Sequence, residues 1–418
     1  MTAMPVLLAL MLAMAAADDA PSTPAAVSLA EIETLLTVQP GAVEQAWTQL
    51  SRSGLPRIEP IAGDEARSRV TFLYKAGGDV TEVRLNSVIN AVRVDWPVED
   101  FNRDFALPMQ RIADSRIWRL TLDVPRDVQA SYSFLVTGPN GTGRVTDPGN
   151  TRRLRGGAAE ALLTLDRVGD LSPLLPVSSG RLGDRQVRMI DSEALARPVT
   201  LDIQPAAAGD AHAPVLILYD AFNWGERAPA REIVHNLVAA GRIPPMHVVL
   251  IDQLDTSSGQ ARYADQTRFI ADELLPWLRA EFGWRLARED VLLGGASRRG
   301  LSAAVTGLTR PEAIGAVVSL SGSFYWAPPD EAPEWLARQL AGAPDQAPRF
   351  QLAAGSLEHV VTSTNQGHVM LDANRNMAEA LGAAGYPTTY RIYPGGHDIA
   401  AWRLALAEAL AELYAPEP

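Results

Sequence analysis

The spacing of hydrophobic and polar residues changes along the chain and divides it into successive regions. After an apolar leader, hydrophobic residues recur every three or four positions in "SLAEIETLLTV" and "GAVEQAWTQLSRSG", which is the period of an amphipathic helix. Ser28 suits the N-cap of the first segment, and Gly54 suits the end of the second. The pattern therefore predicts two N-terminal helices.

Short runs of alternating hydrophobic and polar residues follow, from Ser68 to about Thr146, and Gly, Asp, Pro and Asn turns separate them. The runs are "RVTFLYK", "EVRLNSV", "IWRLTLDV" and "ASYSFLVTG". This pattern is typical of an antiparallel β-sandwich, and we expect "TDPGN" to close it. The helices and sandwich are predicted to form a domain at 28–167, followed by a linker rich in Gly, Pro and Ser at 168–183.

From residue 184 to 418, nearly continuous apolar runs alternate with amphipathic segments. The runs are "VTLDIQP", "PVLILYD", "MHVVLID", "DVLLGGAS", "AVVSLSG", "RFQLAAG" and "TTYRIYP". Helices are expected near 231–241, near 267–282, from 301, near 370–384 and from 400. Because such strands are buried on both faces, the rhythm predicts an α/β domain with a mostly parallel sheet covered by helices.

Composition excludes several classes of protein. The chain has 418 residues, of which 47% are hydrophobic and 21% charged, so it can bury a large core in two domains. A net charge of -12 argues against nucleic acid as a partner. The absence of cysteine excludes disulfides, thiolate nucleophiles, Cys-ligated metals and a lipobox anchor.

The first twenty residues read as a secretory signal peptide. An apolar run from Val6 to Ala15 is too short to span a membrane, and small residues and an acidic, Pro-rich stretch follow it. No Lys or Arg precedes the run, and a buried N-terminal helix is the alternative. We expect export to a bacterial periplasm, and no membrane insertion of the mature form.

Ser297, in "LLGGASRRGL", is the candidate nucleophile. It follows a predicted strand and precedes a predicted helix, at the turn where α/β-hydrolases hold their serine in a strained conformation. Gly295 meets the need for close passage of strand and helix. Arg299 occupies the position of the usual second glycine, and Gly300 comes one residue later. The alternative is a serine that merely lies in a glycine-rich turn.

The candidate histidine and acid follow the serine in the chain order of α/β-hydrolases. His397 lies in "YPGGHDIAAW", after the last predicted strand, and its alternative is a surface loop histidine. Glu358 in "LAAGSLEHV" lies just past the preceding strand, where the carboxylate that orients the histidine is expected. Asp372, on a predicted helix, is the alternative acid, whereas Asp398 is adjacent to His397 and should point elsewhere.

Two backbone N–H groups are candidates for an oxyanion hole. One belongs to Arg298, directly after the serine, and the other to Ala221 or Phe222 in the turn after "LILYD".

Several segments resemble the enterochelin esterases, also called ferric enterobactin esterases. They are "PVLILYDAFNW", "PPMHVVLIDQLDT", "DELLPWL", "LLGGASRRGLSAAVTGLTRPEAIGAVVSLSGSFYW", "GGHDIAAWRLAL" and, nearer the N-terminus, "MQRIADSRIWRLTLDVP", "ASYSF" and "DPGN". The resemblance implies an α/β-hydrolase fold preceded by a smaller all-β immunoglobulin-like sandwich. It also implies hydrolysis of the trilactone of catecholate siderophores, which aids iron release.

The resemblance places the family's nucleophile, acid and histidine on Ser297, Glu358 and His397. This chain departs from the family at Arg298 and Arg299, where a small or apolar residue and then glycine are usual. No protein-bound metal or cofactor is implied, because iron arrives inside the substrate.

Several arginine and aromatic side chains suit a ferric catecholate, which is anionic and aromatic. Guanidinium groups neutralise anions and stack on aromatic rings, so Arg298, Arg299 and Arg262 are candidate substrate contacts. Tyr325 and Trp326 follow a predicted strand and are candidates for an aromatic wall. The alternatives are an ion pair along the helix for Arg299 and core packing for the aromatic residues.

Two other functions stay open from the sequence. Related esterases with a β-sandwich module remove feruloyl or acetyl groups from plant polysaccharides. A catalytically weak siderophore-binding protein would result if Arg299 distorted the turn at Ser297. The sequence does not indicate the oligomeric state.

Overall fold

The computed structural model describes residues 28–52, 54–94, 105–156, 160–177, 182, 184–252, 259–361 and 367–416. The predicted signal peptide and residues 178–181 and 183 of the predicted linker lie outside these residues. Within the described ranges, no helix is long and apolar enough to cross a membrane.

Two helices, α1 (Leu29–Val38) and α2 (Val43–Ser51), begin the described chain as predicted. The Ser28 side chain accepts a hydrogen bond from the Glu31 N–H, and the Glu31 carboxylate accepts one from the Ser28 N–H. This capping box satisfies two donors at the start of α1. The helices pack on one another and on the outer face of a β-sheet through Ile32, Leu36, Ala46, Leu50, Leu73, Ile112 and Ile117.

Two antiparallel sheets form the N-terminal β-sandwich. Its strands are β1 (Arg57–Ile61), β2 (Asp64–Lys75), β3 (Glu82–Ser87), β4 (Leu107–Pro108), β5 (Gln110–Arg111), β6 (Ile117–Pro125), β7 (Gln129–Gly138), β8 (Gly141–Val145) and β9 (Ala161–Thr164). One sheet has the order β1-β2-β6-β5, and the other has the order β4-β3-β7-β8 with β9 paired to β7.

The predicted limits of the sandwich strands were wrong at both ends. The strands begin at Arg57 rather than Ser68, because β1 pairs with β2. The "TDPGN" turn does not close the sandwich, because β9 returns to pair with β7. Both strands are short and lack a clear alternation, which is why the pattern missed them.

An eight-stranded sheet forms the centre of the second domain. Its strands are β10 (Gln186–Ser192), β11 (Arg197–Gln204), β12 (Val215–Tyr219), β13 (His247–Ile251), β14 (Val291–Ala296), β15 (Ala316–Leu320), β16 (Arg349–Gly355) and β17 (Thr388–Tyr393). Their order is β10-β11-β13-β12-β14-β15-β16-β17. The pairs β10–β11 and β11–β13 are antiparallel, and the other neighbours are parallel. The prediction missed β10, which is largely exposed at the sheet edge.

Helices cover both faces of this sheet. They are α3 (Ala230–Ala239), α4 (Gly259–Arg268), α5 (Leu275–Phe282), α6 (Arg298–Thr309), α7 (Trp335–Arg338), α8 (Met370–Ala383) and α9 (Ile399–Leu413). Helix α4 continues through a π-helical turn into α5, so the helix predicted near 267–282 begins earlier. Helices α4, α5, α6 and α8 bury apolar residues on one face, and α3 and α9 do so on the other. The predicted fold class is confirmed.

Candidate active site

Ser297 lies in a sharp turn between β14 and α6, in a backbone conformation that side-chain-bearing residues rarely adopt. Its φ is 57° and its ψ is -127°. Its N–H donates to the Leu320 carbonyl at 2.9 Å, and its carbonyl accepts from the Ser323 N–H at 3.1 Å. The end of β15 and the turn after it therefore hold the strained serine on both sides, as a nucleophile elbow requires.

Two glycines allow α6 to lie close to β14 and to its neighbour β15. A Cβ at Gly295 would lie 2.6 Å from the Cβ of Arg299, and a Cβ at Gly300 would lie 2.4 Å from Ser319 Oγ. Both distances are shorter than side-chain carbons tolerate. The side chain of Arg299 therefore fits at the start of α6 because Gly295, across the turn, has no Cβ. Gly300 likewise allows α6 to lie close to Ser319 of β15.

The three residues predicted as nucleophile, base and acid form one hydrogen-bonded chain. Ser297 Oγ lies 3.0 Å from His397 Nε2, and His397 Nδ1 lies 2.6 Å from Glu358 Oε1. The side chain of His397 is 32% exposed and that of Glu358 is 3% exposed. The alternative acid, Asp372, lies on α8 and pairs with Arg375 at 2.9 Å instead. These three residues can transfer the serine hydroxyl proton to the imidazole while the carboxylate stabilises the imidazolium.

Buried donors converge on the second oxygen of Glu358. Glu358 Oε2 accepts a hydrogen bond from the Gly355 N–H at 2.6 Å and one from Ser321 Oγ at 2.8 Å. The Tyr393 hydroxyl lies 2.6 Å from Ser321 Oγ, and Trp402 Nε1 lies 2.9 Å from the same atom. Burial and the charge of Glu358 raise the pKa of Tyr393, so its phenol stays neutral. The carboxylate is thereby fixed by hydrogen bonds on both oxygens.

Ser321 and Trp402 were not predicted as site residues, although both contact the hydrogen-bonded residues. The Trp402 ring packs edge-on against the His397 ring, with the centroids 4.8 Å apart. Ser321 directly follows β15 and has a φ of 48°. A polar residue at the carboxyl end of a central parallel strand was the available signal, because ligand sites form at that edge.

The candidate oxyanion donors lie at the same edge of the sheet as the serine. Arg298 begins α6, so its N–H has no partner within the helix. Ala221 and Phe222 follow β12, which is the parallel neighbour of β14. Between them and the strand, Asp220 has a φ of 74° and turns the chain sharply. The oxyanion role of these three N–H groups stays a prediction.

The candidate arginines differ in their exposure. Arg298 is exposed beside Ser297, Arg262 on α4 is half-buried, and Arg299 is only 8% exposed. Burial raises the pKa of Tyr263 to about 12, and the charges of Arg298 and Arg299 act against that rise. The contact of these arginines with a substrate stays a prediction.

The two candidate aromatic residues pack largely within the domain. Tyr325 is 5% exposed and belongs to the core on the α6 face. Trp326 is half-buried, and its ring lies edge-on to Tyr263 and Trp335 at centroid distances of 5.0 and 5.8 Å. These contacts favour core packing over an open aromatic wall.

Comparisons with known proteins agree with this architecture. The sequence model of the family described as "Putative esterase" matches residues 192–413. The iron(III) salmochelin esterase of Escherichia coli O6:H1 is 27% identical over 88% of this chain and 92% of its own length. The iron(III) enterobactin esterase of Dickeya dadantii is 25% identical over 92% and 96%. The enterobactin esterase of Shigella flexneri, in a crystal structure in the presence of enterobactin, has a TM-score of 0.70 at 22% identity, covering 88% of this chain and 98% of that chain.

The fold and the matched family define an α/β-hydrolase of the carboxylic ester hydrolase class. The chain belongs to this esterase family, and the resemblance to the enterochelin esterases seen in its sequence is confirmed.

Proposed function

We propose that this protein is a serine esterase that hydrolyses the trilactone ester bonds of ferric catecholate siderophores such as enterobactin, and thereby aids iron release. The hydrogen-bonded chain from Ser297 through His397 to Glu358 carries the proposed reaction. The substrate class is supported by two relatives, named as iron(III) salmochelin and enterobactin esterases, which align with most of the chain.

The first half of the reaction forms an acyl-enzyme. His397 Nε2 takes the Ser297 hydroxyl proton as Oγ attacks a seryl ester carbonyl of the trilactone. The N–H groups of Arg298 and of Ala221 or Phe222 stabilise the tetrahedral oxyanion. Collapse breaks the ester bond, and the imidazolium gives its proton to the departing seryl oxygen, which leaves as a hydroxyl group.

The second half of the reaction releases the opened siderophore. Water attacks the acyl-enzyme carbonyl while His397 accepts a water proton, and the Ser297–carbonyl bond breaks as the proton returns to Oγ. Each round converts one ester and one water into a carboxylic acid and an alcohol. The linear product holds its catechols less firmly together, so it binds iron more weakly than the closed ring.

Arg298 is the side chain best placed to favour an anionic substrate. It is exposed immediately beside the serine, and a ferric triscatecholate carries negative charge next to the scissile esters. A guanidinium group there neutralises charge and stacks on a catechol ring. A periplasmic location, which rests on the predicted signal peptide, stays part of the proposal, and fractionation of the producing cells tests it.

Chromatography of products from ferric enterobactin tests the proposal. The wild-type protein should produce the linear trimer, then dimer and monomer, whereas the Ser297→Ala variant should leave the trilactone intact. A simple aryl ester and a feruloyl ester serve as parallel substrates.

Each contrary result points to a different function. Hydrolysis of the feruloyl ester with an intact trilactone would favour a carbohydrate esterase. Tight binding of ferric enterobactin without turnover of any ester would favour a siderophore-binding protein. Equal product from Ser297→Ala would remove Ser297 as the nucleophile.

A further inference from the structure

The residue after His397 is anchored on the N-terminal sandwich. Asp398 is buried, and its Oδ2 accepts a hydrogen bond from the Ser131 N–H of β7 at 2.5 Å. Its Oδ1 accepts a second one from Ser131 Oγ at 3.1 Å. The loop that carries the candidate base is thus tied to the other domain one residue away from the imidazole.

The same carboxylate also begins helix α9. Asp398 Oδ1 accepts a hydrogen bond from the Ala400 N–H at 3.0 Å, which is an N-cap interaction. The side chain therefore joins the histidine loop, the start of α9 and strand β7 at one point. The segment before it, Pro394 to Gly396, contains two glycines and has little intrinsic rigidity of its own.

The N-terminal domain also contacts the loops on either side of this anchor. A Cβ at Gly396 would lie 2.9 Å from the Cβ of Val88, so the histidine loop passes directly against that domain. In the acid loop, His359 Nε2 lies 3.2 Å from the Ala91 carbonyl oxygen. Leu357, beside Glu358, is buried in the core of the sandwich. Both halves of the His–Glu pair thus rest on the same domain.

We propose that Asp398 is a positioning residue, which holds His397 in line with Ser297 and Glu358 by accepting two hydrogen bonds from Ser131 of the N-terminal sandwich. The sandwich thereby acts as a scaffold for the catalytic histidine. This inference rests on the esterase mechanism of the proposed function, but it does not depend on the siderophore as substrate.

The expected effect on the rate is large because proton transfer depends on sub-ångström placement. A displacement of about 1 Å can cost roughly 100-fold in rate. Hydrogen bonds to an ionised carboxylate are stronger than those between neutral groups. Loss of the anchor should therefore change the turnover number more than the affinity, because Asp398 is buried and its carboxylate is engaged by Ser131 and Ala400.

The Asp398→Asn variant separates the anchor from the helix cap. Asparagine caps helices about as well as aspartate, so α9 should begin as before. If Oδ1 of the asparagine keeps the hydrogen bond from the Ala400 N–H, Nδ2 takes the place of Oδ2. Nδ2 and the Ser131 N–H are both donors, so the hydrogen bond between them is lost. We expect kcat on an aryl ester to fall about 10- to 100-fold, with KM within about twofold of wild type.

Labelling of Ser297 by a fluorophosphonate provides the second readout, because it reports how well the imidazole activates the hydroxyl. We expect the labelling rate of Asp398→Asn to fall by the same factor as kcat. The Ser131→Ala variant removes one of the two hydrogen bonds, so its loss should be smaller, about fivefold for roughly 1 kcal/mol.

The matched control is Arg155→Ala, which removes the 3.2 Å ion pair between Arg155 of the N-terminal domain and Glu232 of α3. This contact joins the two domains without involving either loop, so kcat and the labelling rate should stay at the wild-type level. If Asp398→Asn lowers the melting temperature but leaves both rates unchanged, its role is only structural and the proposal is overturned. Failure of the wild-type protein to label at Ser297 would instead contradict the proposed function itself.

Discussion

The nucleophile elbow and the two loops that complete the site are constructed differently. The elbow is one strand, one turn and one helix, and a close contact within it, between Gly295 and Arg299, spans only four residues. The loops that carry Glu358 and His397 depend on contacts with strand ends and with a separate domain, such as Ser131. The turn that carries the serine is thus formed by neighbouring residues and held by backbone hydrogen bonds from the end of β15 and the turn after it. The positions of the acid and base depend in addition on contacts with a separate domain.

The largest expected effect comes from the Glu358→Gln variant, which changes a loop and leaves the elbow intact. If the glutamine oxygen keeps the bonds from Gly355 and Ser321, its amide donates to His397 Nδ1. The ring proton then lies on Nε2, and this nitrogen can no longer accept the hydrogen bond or the proton of the Ser297 hydroxyl. Because the wrong tautomer blocks base catalysis, kcat should fall about 10³- to 10⁴-fold, as measured with an aryl ester.

The control for this variant is its stability. Glutamine has nearly the same volume as glutamate, so the melting temperature should stay close to that of the wild type although kcat falls. A Glu358→Gln protein that retains more than about a tenth of the wild-type kcat would mean that the carboxylate is not the orienting acid. The contrast between the elbow and the two loops that carry Glu358 and His397 would then lose its main support.

The next largest effect is on stability and tests the elbow. In the Gly295→Ala variant, the new methyl group would meet the Arg299 Cβ at 2.6 Å and its backbone carbonyl carbon at 2.9 Å. Strand and helix must move apart, which should cost about 1–3 kcal/mol in the free energy of unfolding. Denaturant unfolding measures this loss.

Gly382→Ala is the matched control for Gly295→Ala. Gly382 lies near the end of α8, and beyond its own helical turn a Cβ there would meet nothing within 4 Å among the described residues. Alanine should stabilise this position by up to about 1 kcal/mol, because it costs less backbone entropy in a helix than glycine. Equal stabilities for the two variants would show that the elbow is not tightly packed.

The difference between the contiguous elbow and the loops held by distant residues also explains which features the sequence could predict. The strand, turn, serine and helix of the elbow are contiguous, so periodicity and glycine spacing are enough to make Ser297 the candidate nucleophile. Chain order and loop position then select Glu358 and His397. The predicted strands from β11 onwards agree with the structure, and most of them are buried apolar runs, which carry a strong signal.

The remaining features depend on contacts between residues that are distant in sequence. No local pattern shows that Asp398 accepts hydrogen bonds from Ser131, or that Trp402 on α9 packs against His397. The burial of Arg299 follows from how α6 packs on its neighbours, whereas charge alone favoured an exposed position. Tertiary packing thus decided each of these cases.

The smallest effect in this comparison is expected for Ser321→Ala. The hydroxyl donates to Glu358 Oε2 at 2.8 Å, and alanine removes this donor while keeping the Cβ. The carboxylate keeps its hydrogen bond from the Gly355 N–H, and the Trp402 N–H keeps its hydrogen bond to the Tyr393 hydroxyl at 3.0 Å. One hydrogen bond to a charged group contributes about 1.5 kcal/mol or more, so kcat should fall about tenfold.

Two further variants decide whether Ser321 acts through Glu358. Ser302→Ala removes a buried hydroxyl that donates to the Arg298 carbonyl within α6, so kcat should not change. If Ser321 positions Glu358, its loss should cost little more once Glu358→Gln has already removed the carboxylate, because the two changes act on one interaction. A full tenfold loss in that background would mean that Ser321 acts on the site by another route.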